Sequence, residues 1–126
     1  MLPPIGLFQS VEMVRDGGSL AATFQGSDGC EYWLFLKVRI NKLSSGDWER
    51  VGYEAPVIID RLAWRAIPIT WQHARVFLAQ MRPLLRDERD RKWYGIMEEA
   101  VLAEGPLPSG VDRYLRTVNP KQNEPT

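Results

Sequence analysis

The sequence predicts an α+β fold: an antiparallel sheet of four or five strands in the N-terminal half, with two main helices and a short C-terminal helix packed on one face. Three observations carry that expectation. Apolar residues alternate with a period of two through the first half, clusters of Gly, Asp and Ser interrupt them at short intervals, and from Thr70 the apolar period becomes helical.

The first strand falls within residues 7–15, where Leu7, Val11 and Met13 surround polar Gln9. Asp16-Gly17-Gly18 follows, and glycine supplies the positive φ angles that a tight turn needs. Leu20, Ala22 and Phe24 alternate with Ala21, Thr23 and Gln25 to give a second strand, and Asp28-Gly29 is the pair suited to a two-residue type I′ hairpin. Residues 30–41 form the clearest element. One face carries Tyr32, Leu34, Leu36, Val38 and Ile40; the other carries Trp33 and Phe35, then Lys37 and Arg39. A strand with one wholly apolar face is expected at the centre of the sheet. Ser44-Ser45-Gly46-Asp47 makes the next turn, Val51, Tyr53 and Ala55 return in phase, and Pro56 interrupts because it has no N–H to donate. Val57-Ile58-Ile59 is a short further strand or an edge continuation.

Thr70 is the expected N-cap of the first helix, whose stripe is Trp71, Ala74, Leu78, Met81 and Leu85. Pro83 either kinks this helix or separates it from the next. The second helix, capped by Asp87, runs to about Glu104 on an apolar face of Trp93, Ile96, Met97, Ala100 and Val101. Gly95 within it implies a close neighbour, and Gly105-Pro106 ends it. Ser109 and Asp112 are spaced as a capping box for one or two helical turns over 109–117.

A chain of 126 residues with 44% hydrophobic and 25% charged residues is expected to fold as one domain over residues 1–118, with a flexible tail over 119–126. Cys30 is the only cysteine, which excludes an intramolecular disulfide. The start of the chain lacks the charged region and apolar run of a signal peptide, and nowhere does an apolar run approach the ~18 residues of a membrane span. A cytoplasmic location and no membrane contact are therefore expected. The net charge is zero, yet residues 61–92 hold eight basic residues against three acidic ones.

Chemistry is sparse. His73 is the only histidine, placed in the first turn of a helix, so neither a zinc site nor a His-dependent relay has its usual residues. Glu98 and Glu99 are adjacent on a helix and diverge by about 100°, so they do not address one site. Phosphate-binding and dinucleotide glycine motifs are lacking. No enzyme activity, no metal and no cofactor are expected.

Five tryptophans are the more informative residues, because tryptophan and arginine are enriched at binding hot spots. Trp71 and Trp93 belong to apolar helix stripes. The stretch Arg61-Leu62-Ala63-Trp64-Arg65 and the strand face with Trp33, Phe35 and Arg39 do not, so Trp33, Phe35, Arg39, Trp64 and Arg65 are the candidate partner-binding residues. The leading expectation is a small module that masks a partner protein, of the inhibitor or immunity type that neutralises a toxin or effector. In general build alone the chain resembles bacterial toxin-immunity proteins. Two alternatives stand beside it: a nucleic-acid-binding protein using the basic 61–92 segment, and a small-ligand pocket or enzyme between sheet and helices. A homodimer or the Pro3-Pro4 segment is the other way to cover the Trp33 and Phe35 face.

Overall fold

The computed structural model describes residues 11–16, 18–109, 111 and 113–115; the expected tail and residues 7–10 of the first strand lie outside them. The strands are β1 (Val11–Asp16), β2 (Ser19–Gln25), β3 (Glu31–Leu36), β4 (Val38–Lys42), β5 (Trp48–Tyr53), β6 (Val57–Asp60), β7 (Arg65–Pro68) and β8 (Tyr114–Leu115). They form an antiparallel five-stranded sheet in the order β1-β2-β3-β6-β7 and a smaller one in the order β4-β5-β8. Two helices, α1 (Trp71–Met81) and α2 (Glu88–Leu102), complete the α+β fold.

β3 is the central strand, as its apolar row predicts. The register brings Met13, Ala22, Leu34, Ile58 and Ile67 into one row across all five strands. Phe24, Tyr32, Leu20 and Leu36 extend that face, and the helices bury it with Ala74, Phe77, Leu78, Met81, Tyr94, Met97, Ala100 and Val101. Alternation decides which residues enter the core: a shift of one residue in β3 would exchange Leu34 for Trp33.

The expected twelve-residue strand is broken at Lys37. β2 begins at Ser19, and its Leu20 pairs with Leu36, so beyond Leu36 the main sheet offers no further partner on that side. The Ser19 hydroxyl accepts from the Val38 N–H at 3.0 Å, and the Lys37 carbonyl accepts from Glu54 N–H at 2.8 Å. The chain then leaves as β4, paired with β5 in the second sheet. Val38 is half-buried and Ile40 is 43% exposed, so the apolar row ends with the main sheet.

The β2–β3 hairpin forms at Asp28-Gly29, but not as a two-residue I′ turn. Gly26 N–H donates to Cys30 C=O at 2.9 Å and Gly29 N–H to Gly26 C=O at 3.0 Å, with only Gly29 of the turn at positive φ (80°). This is a three-residue loop, a type I turn closed by a left-handed glycine. Asp28 completes it by accepting from Cys30 N–H and from the Tyr32 hydroxyl, at 3.0 and 2.6 Å. The Tyr32 bond holds the Asp28 carboxyl below the usual range; that same bond, then burial, pushes the Tyr32 hydroxyl well above its own.

Thr70 caps α1 by accepting from His73 N–H at 3.0 Å, and Asp87 caps α2 by accepting from Asp90 N–H at 2.8 Å. A 3-10 turn over Arg82–Leu84, with Pro83 inside it, separates the two helices. Tyr94, which the expected stripe omits, is buried and donates to the Leu78 carbonyl at 2.7 Å, tying α2 to α1. Burial, followed by the charge of Glu98, pushes its hydroxyl up to about 12. Asp90 is a second unforeseen tie: 3% exposed, it accepts from Met13 N–H at 3.2 Å and pairs with Arg86 at 3.5 Å. Gly95 is exposed with nothing within 4 Å of a Cβ, so no close neighbour explains it.

The turn that follows α2 closes at Gly105 (φ 115°), whose N–H donates to Ala100 C=O at 2.8 Å. Its carbonyl then accepts from Tyr53 N–H at 2.7 Å. A Cβ on Gly52 would stand 2.6 Å from that carbonyl, so this docking of helix end on β5 requires glycine. Of the segment expected to turn helical, Tyr114 and Leu115 instead pair with Trp48 and Glu49 as β8, and Arg113 forms an ion pair with Glu49. The open edge of β5 that takes up these two residues is not visible in the sequence.

Hydrogen exchange is expected to be slowest at residues 20–24 and 32–36 and markedly faster from Val38 to Lys42. Fast exchange throughout 32–36 would contradict the central position of β3.

Candidate functional site

The helices cover one face of the five-stranded sheet. Odd-numbered residues of β3 point to the other, where the register aligns Thr23, Trp33, Ile59 and Ala66 in one row and Val14, Ala21, Phe35, Val57 and Pro68 in the next. Among these, Trp33, Phe35, Val57 and Ile59 are half-buried, and among the described residues no helix lies over them.

At one end of this face the ladder continues to Glu31 and Arg61, whose backbones bond at 3.2 Å and whose side chains pair at 2.6 Å. The pairing places Arg61 diagonally beside Trp33, with its guanidinium 4.1 Å from the indole centroid. Trp64, in the turn between β6 and β7, completes the cluster: its ring lies 5.0 Å from the guanidinium and meets Trp33 edge-on at 6.1 Å. Arg61 is thus held by two indoles and a carboxylate, an arrangement that favours both cation–π and charge-assisted contacts. Trp33 Nε1 and Arg61 Nε are enclosed and have no acceptor among the described residues.

The turn is fixed locally. Asp60 accepts from Leu62 N–H and Ala63 N–H at 3.0 and 3.2 Å, an Asx turn. Trp64 takes φ 50°, a left-handed conformation that a bulky side chain rarely adopts. It is also 67% exposed, and Leu62 at the tip is 85% exposed. Bond alternation continued from the Ile69 N–H to Pro56 C=O contact turns the amide of Ala66 outward, and Pro68 supplies none. The β7 edge is therefore a poor template for strand addition, and the side chains are what this region presents.

Of the five sequence candidates, the structure gathers Trp33 and Phe35 on one face and Trp64 beside them. Arg39 does not join: it pairs with Gly52 in the second sheet, because β4 has left the first. Arg65 starts β7, and its register opposite Asp60 and Tyr32 sends it to the helix-covered side. Arg61 takes the place of both. Its proximity to Trp64 is visible in the sequence, whereas its contact with Trp33 follows only from the β3–β6 register.

The remaining basic residues of the 61–92 segment lie on α1, α2 and the turn between them, across the core from Trp33. Arg75 bonds the Leu102 carbonyl at 3.0 Å and faces Glu104 at 3.8 Å. With Arg82, Tyr94 and Glu98 it lines a surface groove of about 390 Å³ between the helices. A second hollow of about 400 Å³ is lined by Arg50, Leu107, Ser109 and Arg113. His73 is exposed, and Cys30 is half-buried against the core. Glu98 faces Tyr94 while Glu99 accepts from Ser109 at 3.1 Å, so the paired carboxylates do diverge. Among the described residues no group of three or more His, Cys, Asp or Glu gathers, and no helix is long and apolar enough to cross a membrane. No family model, curated protein or solved structure matches the chain.

Replacing Trp64 by glycine is expected to change folding stability by less than about 1 kcal/mol. Relief of the left-handed backbone, roughly 1–2 kcal/mol, offsets loss of an edge-on aromatic contact of about 0.5–1.5 kcal/mol. Thermal denaturation measures the balance; a loss above about 2 kcal/mol would make Trp64 a structural residue.

Proposed function

We propose that this protein is a non-enzymatic binding module of the inhibitor or immunity type, acting in the cytoplasm, which masks a partner protein such as a toxin or effector with the helix-free face of its main sheet. The observation that carries the reading is the Trp33, Arg61 and Trp64 cluster. It joins large apolar area to a directed charge at the surface, the composition of a binding hot spot. Phe35 on the central strand β3 and Val57 and Ile59 on its neighbour β6 continue it as apolar surface. A strained, exposed tryptophan adds to the case, since such conformations concentrate at functional sites.

Separation of the aromatic face from the basic helices speaks against the nucleic-acid alternative. Single-strand binders place stacking rings within a basic groove, whereas here Arg75, Arg82, Arg86 and Arg89 are on the helix layer and Trp33 is on the opposite side of the sheet. The face itself pairs its one central cation with Glu31.

Alanine at Trp33, Arg61 or Trp64 is expected to weaken partner binding at least about thirtyfold, ~2 kcal/mol or more. His73→Gln, Arg82→Ala and Arg89→Ala should change it less than about threefold, below ~1 kcal/mol. Calorimetry on the purified complex reads both sets. Tight, salt-sensitive nucleic-acid binding that depends on Arg82 and Arg89 and ignores Trp33 would refute the proposal.

A further inference from the structure

The indole of Trp64 is the most loosely held part of the Trp33, Arg61 and Trp64 cluster. Asp60 fixes the turn through the Leu62 and Ala63 amides and Glu31 fixes Arg61, but both sets of bonds stop short of Trp64. Its ring rests on contacts alone, 5.0 Å from the guanidinium and edge-on to Trp33 at 6.1 Å, and the residue stays 67% exposed. Two costs oppose those contacts. The backbone at Trp64 takes φ 50°, a conformation that bulky side chains disfavour. Beside the ring, Trp33 Nε1 and Arg61 Nε are enclosed without an acceptor among the described residues, and each forfeits the hydrogen bond that water would give it. Edge-on aromatic and cation–π contacts at an exposed site are weak enough for these costs to match them. The arrangement is poised.

We infer that Trp64 is a lid on the Trp33 and Arg61 pair. It is shut in the form described above, and open in a second form where its backbone leaves the left-handed region and water reaches both donors. The inference rests on the masking role and adds the regulation of that site. Only the shut form presents two indoles and a guanidinium together, so a partner that binds the cluster draws the lid shut. The open form offers hydrated Trp33 and Arg61 N–H groups in place of continuous apolar surface. Residues 61–63 hold their places in both forms, because the Asp60 bonds do not involve Trp64.

Proton exchange with water at the Trp33 indole N–H, measured by NMR on the full-length free protein, reads the lid without any partner. Trp64→Gly removes the ring and keeps the turn, since glycine adopts the left-handed region freely. Exchange at Trp33 is expected to be about three- to a hundredfold faster in Trp64→Gly than in the unaltered chain, as an open form populated at about 1–30% requires. The Trp71 and Trp93 indoles should exchange at unchanged rates. A ratio below about threefold would mean that the ring shields nothing, and one above about a hundredfold that the lid stays shut. Either result overturns the inference and leaves the masking role, which is read from partner binding, intact. Trp64→Asn also tolerates the left-handed backbone and serves in the same comparison should the glycine variant fail to fold.

Discussion

The strand Glu31–Leu36 carries apolar residues on both sides, and among the described residues helices cover only one of them. That mismatch organises the molecule. Tyr32, Leu34 and Leu36 commit one face of the sheet to the helices, and neighbouring strands fall into register so that Met13, Ala22 and Ile58 join them. The alternation of a strand then leaves Trp33 and Phe35 no choice of side. Burying an indole contributes on the order of 2–3 kcal/mol when its apolar area leaves water, so a half-buried Trp33 retains part of that free energy for whatever packs on it. Arg61 and Trp64 cover some of the ring, and they do so with surface that can itself be used in binding.

Polar ties hold the layers at defined places. Asp90 joins α2 to the edge of β1, Tyr94 joins the two helices, and the Gly105 carbonyl joins the end of α2 to β5. The first and third satisfy backbone N–H groups, of Met13 and Tyr53, while Tyr94 adds a second donor to the Leu78 carbonyl, which also accepts from Arg82 N–H. The face presented by β3, β6 and β7 therefore rests on a core fixed by both helices.

Much of this was legible in the sequence. Periodicity located β2, β3 and both helices, Thr70 and Asp87 were identifiable as caps, and the twelve-residue alternation pointed to the central strand. The break at Lys37 was not legible, since period two continues through it; what ends the strand is the length of β2, a non-local fact. For the same reason β8 was invisible: a capping-box spacing at residues 109–112 is a local signal, and the open edge of β5 is not. At the candidate site, Trp33, Phe35 and Trp64 were found from residue type and alternation. Register, not sequence proximity, sets the other placements: Arg39 goes to the second sheet, Arg65 to the helix-covered side of the first, and Arg61 to Glu31 and Trp33, some thirty residues away in the sequence.

The central claim is that function resides on the helix-free face and its hairpin, and the five tryptophans are built-in reporters of it. Trp33 and Trp64 lie on that face, Trp71 and Trp93 are packed against the core from the helices, and Trp48 is in the second sheet. Fluorine NMR of protein labelled with 5-fluorotryptophan, titrated with the purified partner, reads all five at once. The account predicts that the Trp33 and Trp64 resonances shift together on binding while those of Trp71 and Trp93 stay in place. Shifts at Trp71 and Trp93 with Trp33 and Trp64 unmoved would contradict it.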